Sequence, residues 1–181
     1  MIPSRAEVLS PLEMVKDSNR RILEIYSSND EIDDEIESRI IKIMDTVTNF
    51  DLISRRTIEK FCTDENAPEC ETLDSVFKKL LRISSMKKLG RYRADRFDYL
   101  GEEREGDKAV VKTIAYYQDD DIRLDYVLEW IDGTWMIVNY VADDVDTIRN
   151  YKKQFTRILR KETVAQLVER LQRKIEEYDR E

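Results

Sequence analysis

Apolar residues recur at spacings of three and four through the first half of the chain, then at spacings of two, then at three and four again. The first pattern predicts helices. Val8, Leu12, Val15, Ile22 and Tyr26 mark one helix from about Glu7 to Tyr26. Ile32, Ile36, Ile40, Ile43 and Val47 mark a second from about Glu31 to Thr48, with Asp30 placed to cap it. A short helix follows Asp51. A longer one covers about Glu71 to Leu89, with Leu73, Val76, Phe77, Leu80 and Leu81 inward.

The period-two region predicts four strands: Arg96–Arg104, Lys108–Tyr117, Asp121–Ile131 and Thr134–Ala142. The third alternates most strictly. Ile122, Leu124, Tyr126, Leu128 and Trp130 share one face, and Arg123, Asp125, Val127, Glu129 and Ile131 the other. Asp132-Gly133 is a two-residue hairpin signal. Two amphipathic helices close the chain, carrying Ile148, Tyr151, Phe155, Ile158 and Leu159, then Val164, Leu167, Val168, Leu171 and Ile175.

Helices, then strands, then helices imply an α+β fold rather than α/β. Residues 1–181 read as one domain: a four-stranded antiparallel sheet covered by N- and C-terminal helices, cone-like around an apolar interior. That interior is either a dry core or a ligand cavity. Its candidate lining is Val47, Phe50, Phe77, Leu80, Phe97, Tyr99, Val111, Leu124, Tyr126, Leu128 and Phe155. Aromatic strand residues pack equally well as ordinary core or as a pocket wall.

Composition narrows the chemistry. Charged residues are 39% and apolar residues 41%, with four Gly and three Pro, the balance of a folded helix-rich protein. The net charge of −8 argues against nonspecific nucleic-acid binding. Basic residues concentrate in Lys78–Arg96, where Lys78, Lys79, Arg82, Lys87, Lys88, Arg91, Arg93 and Arg96 face one acid, Asp95. That run is either a solvated face or a contact for an anionic headgroup or partner. The chain has no histidine, which excludes Ser-His and Cys-His nucleophiles and leaves a poor zinc set. The acidic turns at Asp119–Asp121 and Asp143–Asp146 lack the spacing of a calcium loop. No metal site and no catalytic residue is assigned.

No stretch reaches the roughly 20 apolar residues of a membrane span. The opening Met1-Ile2-Pro3-Ser4-Arg5 shows no signal peptide, as suits a cytosolic protein or one whose targeting segment has been removed. Cys62 and Cys70 flank a polar stretch containing Pro68, and read either as a disulfide or as two thiols.

Several segments, in order, resemble the MlaC (toluene-tolerance) family. They are Phe50-Asp51 entering a short helix, Leu80-Leu81 and Arg91-Tyr92 leading into the sheet, and Leu124-Asp125-Tyr126-Val127-Leu128. Gly133-Thr134-Trp135, Asn150-Tyr151-Lys152-Lys153-Gln154-Phe155 and Leu167-Val168-Glu169-Arg170-Leu171 follow. Lys152 stands where the family's helix carries Arg. The resemblance implies a non-catalytic periplasmic shuttle that binds phospholipid as its ligand, without a cofactor. It implies acyl tails in a cavity between sheet and helices. The implied partners are an inner-membrane lipid ABC-transporter complex with an MCE-type subunit and an outer-membrane lipoprotein complex. The setting implied is outer-membrane lipid asymmetry. An oxidising periplasm also suits a Cys62–Cys70 disulfide. The alternative is a small-ligand receptor or acid/base enzyme on a similar fold, with Asp or Tyr as the acid or base.

Overall fold

The computed structural model describes residues 8–29, 31, 33–91, 94–178 and 180. Ser10 caps the first helix, α1 (Pro11–Ser27), through a reciprocal pair with Glu13, and Pro11 sits where a missing N–H costs nothing. The second helix, α2, runs Asp34–Val47 and is capped by Asp33, whose carboxylate accepts from the Ile36 amide at 2.9 Å. The expected start near Glu31 is therefore three residues early. Asp33 leaves Asp34, Glu35 and Glu37 in the first turn, at the positive end of the helix dipole. Glu7, Asp30, Ile32 and Tyr92 lie outside the described residues.

Asn49 caps α3 (Phe50–Ile58). Short 3-10 turns at Glu59–Phe61 and Asp64–Asn66 lead into α4 (Ala67–Arg91). Cys70 therefore sits in the first turns of α4 rather than in a loop, and its Sγ is bonded to that of Cys62.

The sheet has five strands, not four, in the order β1 (Arg96–Glu105), β2 (Lys108–Tyr117), β3 (Asp120–Ile131), β4 (Thr134–Ala142) and β5 (Val145–Asp146). All neighbours are antiparallel. The fifth strand is two residues long, too short for alternation to reveal. Asp143 and Asp144, at φ +46° and +64°, turn the chain so that Val145 and Asp146 pair with Ala142 and Val141. Asp132 and Gly133 also adopt positive φ, as a tight hairpin turn requires.

Register puts one apolar set on a single face. Val111 pairs with Tyr126, Ala109 with Leu128, Leu124 with Ala142 and Tyr126 with Tyr140. A bulge at Val138 lets Ile137, opposite Leu128, and Tyr140, opposite Tyr126, share that face although they are three residues apart. Helix α1 packs on β1 and β2. The helices α3, α5 (Thr147–Leu159) and α2 reach the sheet through β4. There the Asn49 amide donates to the Ile137 carbonyl at 2.8 Å. Helix α6 (Val164–Tyr178) packs on α4. Arg56 of α3 grips Glu129 of β3 through two bonds of 3.0 and 2.7 Å, and this contact holds the Glu129 carboxyl below its ordinary range.

Two apolar cores result. The larger lies among the helices and includes Ile40, Ile53, Leu73, Phe77, Leu80, Phe155 and Leu167. The smaller lies between α1 and the sheet and includes Met14, Val15, Val111, Tyr126, Leu128, Trp135 and Ile137. Tyr140 packs against both.

Candidate functional site

The two cores do not close completely on each other. An apolar pocket of about 120 Å³ lies at their seam, lined by Ile22, Met44, Val47, Phe50, Ile53, Leu81, Leu124, Tyr126, Ile137, Tyr140, Ala142 and Tyr151, among others. A second, of about 110 Å³, lies between α1 and the far end of the sheet, against Leu23, Tyr26, Phe97, Ala115 and Ile122. Asn19, Ile22, Leu124 and Ala142 line both. The second shares Leu23, Tyr26, Ala94 and Phe97 with an open groove rimmed by Lys16, Arg20, Arg96 and Tyr99. Two apolar pockets and a groove thus adjoin one another from the seam, past α1, to a rim that carries these cations and the acids Glu24 and Asp95.

Most of the polar groups in the wall are hydrogen-bonded within the protein. Tyr126 donates its hydroxyl proton to Asn19 Oδ1 at 3.1 Å, and Asn19 Nδ2 donates to the Tyr99 hydroxyl at 3.3 Å. The Thr48 and Tyr140 hydroxyls lie 2.6 Å apart. Ser18 and Ser84 donate to the Val15 and Leu81 carbonyls of their own helices. Such a wall offers a ligand mainly hydrocarbon surface. Burial raises the phenol pKa of Tyr126, Tyr151 and Tyr99, and pushes that of Tyr140 up to about 12. These tyrosines remain protonated near neutral pH. Neither pocket is lined by Asp, Glu, Lys or Arg. Among the described residues, no cluster of three carboxylates or cysteines is placed to hold a metal ion.

The structure divides the residues singled out from the sequence. Val47, Phe50, Leu124 and Tyr126 line the seam pocket, Phe97 and again Leu124 the second, and Tyr99 the groove. Phe77, Leu80 and Phe155 are packed in the helical core, where the Phe77 and Phe155 rings meet edge to face at 5.1 Å. Val111 and Leu128 are sealed in the smaller core. None of these five touches either pocket.

The lining expected from the sequence left out Asn19, Ile22, Tyr140, Ala142 and Tyr151, although Ile22 and Tyr151 stand on the apolar helix stripes and Tyr140 among the aromatic strand residues. A signal existed for Ser18 and Asn19. They are polar residues on the buried stripe of α1, at 4% and 5% exposure, where an uninterrupted core would carry apolar side chains.

Of the Lys78–Arg96 run, Lys78 bridges Asp51 and Asp74, Arg82 pairs with Asp45, and Arg96 lies over the Tyr116 ring. The side chains of Lys87, Lys88, Arg91 and Arg93 lie outside the described residues.

Comparison with known proteins places this arrangement. No curated protein matches the sequence significantly. Among solved structures, the phospholipid-binding protein from Ralstonia solanacearum, in complex with a phospholipid, superposes with a TM-score of 0.73. The match covers 94% of this chain and 99% of that one at 16% identity, a likeness of fold. The family model described as MlaC protein matches residues 16–173, from within α1 to within α6 and across all five strands. The resemblance read from the Leu124–Leu128 strand, the Gly133–Trp135 return and the Asn150–Phe155 helix therefore holds, and the chain belongs to the MlaC family.

Proposed function

We propose that this protein is a phospholipid carrier, a single domain that holds acyl chains in the apolar space between α1, the sheet and the helical layer. The observation that carries this reading is the pair of adjoining pockets whose walls are mainly hydrocarbon, with the Tyr126, Asn19, Thr48 and Tyr140 polar groups bonded internally. The Ralstonia protein of the same fold, bound to a phospholipid, and the family membership support it. Each buried methylene is worth about 0.8 kcal/mol, so a two-tailed lipid crosses water only inside such a shield.

The pockets hold the end of an alkyl chain rather than a whole lipid. A carrier would therefore accept its load by parting α1 from the sheet, which widens the seam. Arg20 at the groove is held by Asp17 and Glu24, so Lys16 and Arg96 are the cations that would keep a phosphate headgroup near water. The pocket-lining members of the sequence-derived set, Val47, Phe50, Phe97, Leu124 and Tyr126, are the contacts expected for the tails, with Tyr99 at the mouth. A non-enzymatic role is supported by a lining whose titratable groups are protonated phenols, which leaves no general base near neutral pH. A periplasmic home suits the Cys62–Cys70 disulfide. There the carrier would exchange lipid with an inner-membrane ABC-transporter complex bearing an MCE-type subunit and an outer-membrane lipoprotein complex, and so serve outer-membrane lipid asymmetry.

The test is lipid content. Protein purified without detergent should release phospholipid detectable by mass spectrometry, and lipid-depleted protein should take labelled phospholipid from vesicles. A lipid-free protein that accepts none would overturn the proposal.

A further inference from the structure

The exposed side of α5 carries a charge pattern that the cavity does not use. Arg149, Lys152, Lys153, Arg157 and Arg160 line an open groove of about 330 Å³, together with Lys60 from the turn after α3. Thr156 completes the lining, and no apolar side chain contributes. The Lys60 ammonium donates to Thr156 Oγ1 at 2.7 Å, which ties the two elements together. Glu59, 3.8 Å from Lys152, is the acid that reaches this groove. Among the described residues, Arg149, Lys153, Arg157 and Arg160 have no carboxylate within 4 Å.

This arrangement is unfavourable in isolation. Arg149, Lys153 and Arg157 repeat at intervals of four, and Arg160 follows Arg157 by three, so like charges stack along one helix face. The negative end of the helix dipole accounts for cations in the last turn, such as Arg157 and Arg160. It does not account for Lys60, Arg149 or Lys153. The chain as a whole carries a net charge of −8, so the cluster opposes the molecule's own balance.

We propose that this groove docks the protein on a bilayer surface of anionic phospholipid headgroups. The chemistry selects that partner. Specific protein interfaces are anchored by Trp, Tyr and Arg side chains desolvated in a well-packed centre, whereas the cations here line an open groove whose lining includes no aromatic residue. A surface of many equivalent phosphates needs only a broad set of mobile cations. Each Lys or Arg near an anionic leaflet strengthens binding about fivefold, within a Debye length of about 10 Å. Thr147 and Tyr151, on the other side of the same helix, line the seam pocket. Docking by α5 would therefore hold the lipid-binding seam one helix away from the bilayer. This orientation rests on the carrier reading; the docking itself does not.

The experiment measures binding of the intact protein to phosphatidylcholine vesicles with and without phosphatidylglycerol, by co-flotation at low and high salt. Binding should require phosphatidylglycerol and vanish at high salt. The triple variant Lys153→Gln/Arg157→Gln/Arg160→Gln alters exposed side chains and should fold as the parent does. It should lose about a hundredfold in affinity, which is three steps of fivefold. A control with the same charge change elsewhere, Arg39→Gln/Lys42→Gln/Lys79→Gln, should bind as the parent does. Equal binding to both vesicle types, or an unaffected triple variant, would overturn the proposal. Failure of the parent to bind at low salt would do the same and would point to an acidic protein segment as the occupant. Phospholipid content measured on the same preparations judges the carrier reading separately: a lipid-loaded protein that ignores vesicles sinks only the docking.

Discussion

The hydroxyl of Tyr126 meets Asn19 Oδ1 at 3.1 Å, joining the centre of the sheet to the middle of α1 across 107 residues of sequence. Asn19 extends the link to Tyr99 on β1. This one side chain fastens α1 over the pockets at two points, while the Leu12 amide, bonded to Glu102 at 2.9 Å, fastens the start of the helix. Replacing Asn19 by Ala strands the buried Tyr126 hydroxyl in an apolar wall and releases the partly buried Tyr99. A buried unsatisfied donor costs about 1–3 kcal/mol. Asn19→Ala should therefore lower the urea midpoint, with a smaller loss for Tyr126→Phe, and should speed lipid exchange by freeing α1. Unchanged midpoints in both variants would show that this link does not hold the helix.

Filling the void tests where the ligand space lies. Ala142 faces both pockets, so Ala142→Phe places a ring where neighbours are missing. Its melting temperature should hold or rise while phospholipid content falls. Leu128 has no exposed surface and packs in the smaller core. Leu128→Trp should therefore cost about 1–3 kcal/mol by overpacking. Lipid lost from Leu128→Trp but retained by Ala142→Phe would move the cavity along the same face of β3 to its Leu128 end.

These two residues also show how far the sequence reaches. Alternation along β3 correctly puts Leu124, Tyr126 and Leu128 on one face, because a period of two admits no other arrangement. It carries no information on which of the three adjoins empty space. That depends on where the helical layer and α1 diverge, and Leu124 proves to be at the gap while Leu128 is sealed. Strand β4 hides its contribution for another reason. The bulge at Val138 breaks the alternation, so Tyr140 falls out of phase with Trp135 and Ile137 in the sequence but beside them in space. The charge runs mislead similarly. Lys78–Arg96 is dense in the sequence, yet Lys78 and Arg82 are consumed by acids from α2, α3 and α4. In the open cationic groove the α5 cations stay clear of acids, among the described residues, except at Lys152, and folding adds Lys60 beside them.

The disulfide closes a short loop between the end of the 3-10 turn and the first turns of α4. With a sequence separation of 8, the loss of chain entropy in the unfolded state contributes about 2.5 kcal/mol. The Cys62→Ser/Cys70→Ser protein should fold but lose about that much stability, and so unfold at a lower denaturant concentration. Non-reducing alkylation of the exported parent should label neither cysteine. Two labelled thiols in the exported protein would place it in a reducing environment and remove one support for a periplasmic home.

The buried phenols set an alkaline limit. Burial pushes the Tyr140 phenol up to about 12 against an ordinary value of 10.0, and raises that of Tyr126. A group whose folded pKa exceeds its unfolded pKa binds its proton more tightly in the native state. Its contribution to stability is complete below about pH 10 and is lost as pH rises toward about 12, at up to about 1.4 kcal/mol per pH unit for each phenol. The parent should thus lose stability steeply above about pH 10. Absorbance of the Tyr126 and Tyr140 phenolates should appear only with unfolding, after exposed tyrosines have titrated. Tyr140→Phe removes one of these groups together with its bond to Thr48. That variant should begin about 1 kcal/mol less stable than the parent near neutral pH. Because it has one fewer proton to lose, its stability should fall less steeply, and the two curves should converge as the solution becomes alkaline. Parallel curves from neutral pH to about pH 11 would mean that Tyr140 ionises freely in the native state. The seam pocket would then be open to water, and an apolar tail would gain nothing by entering it.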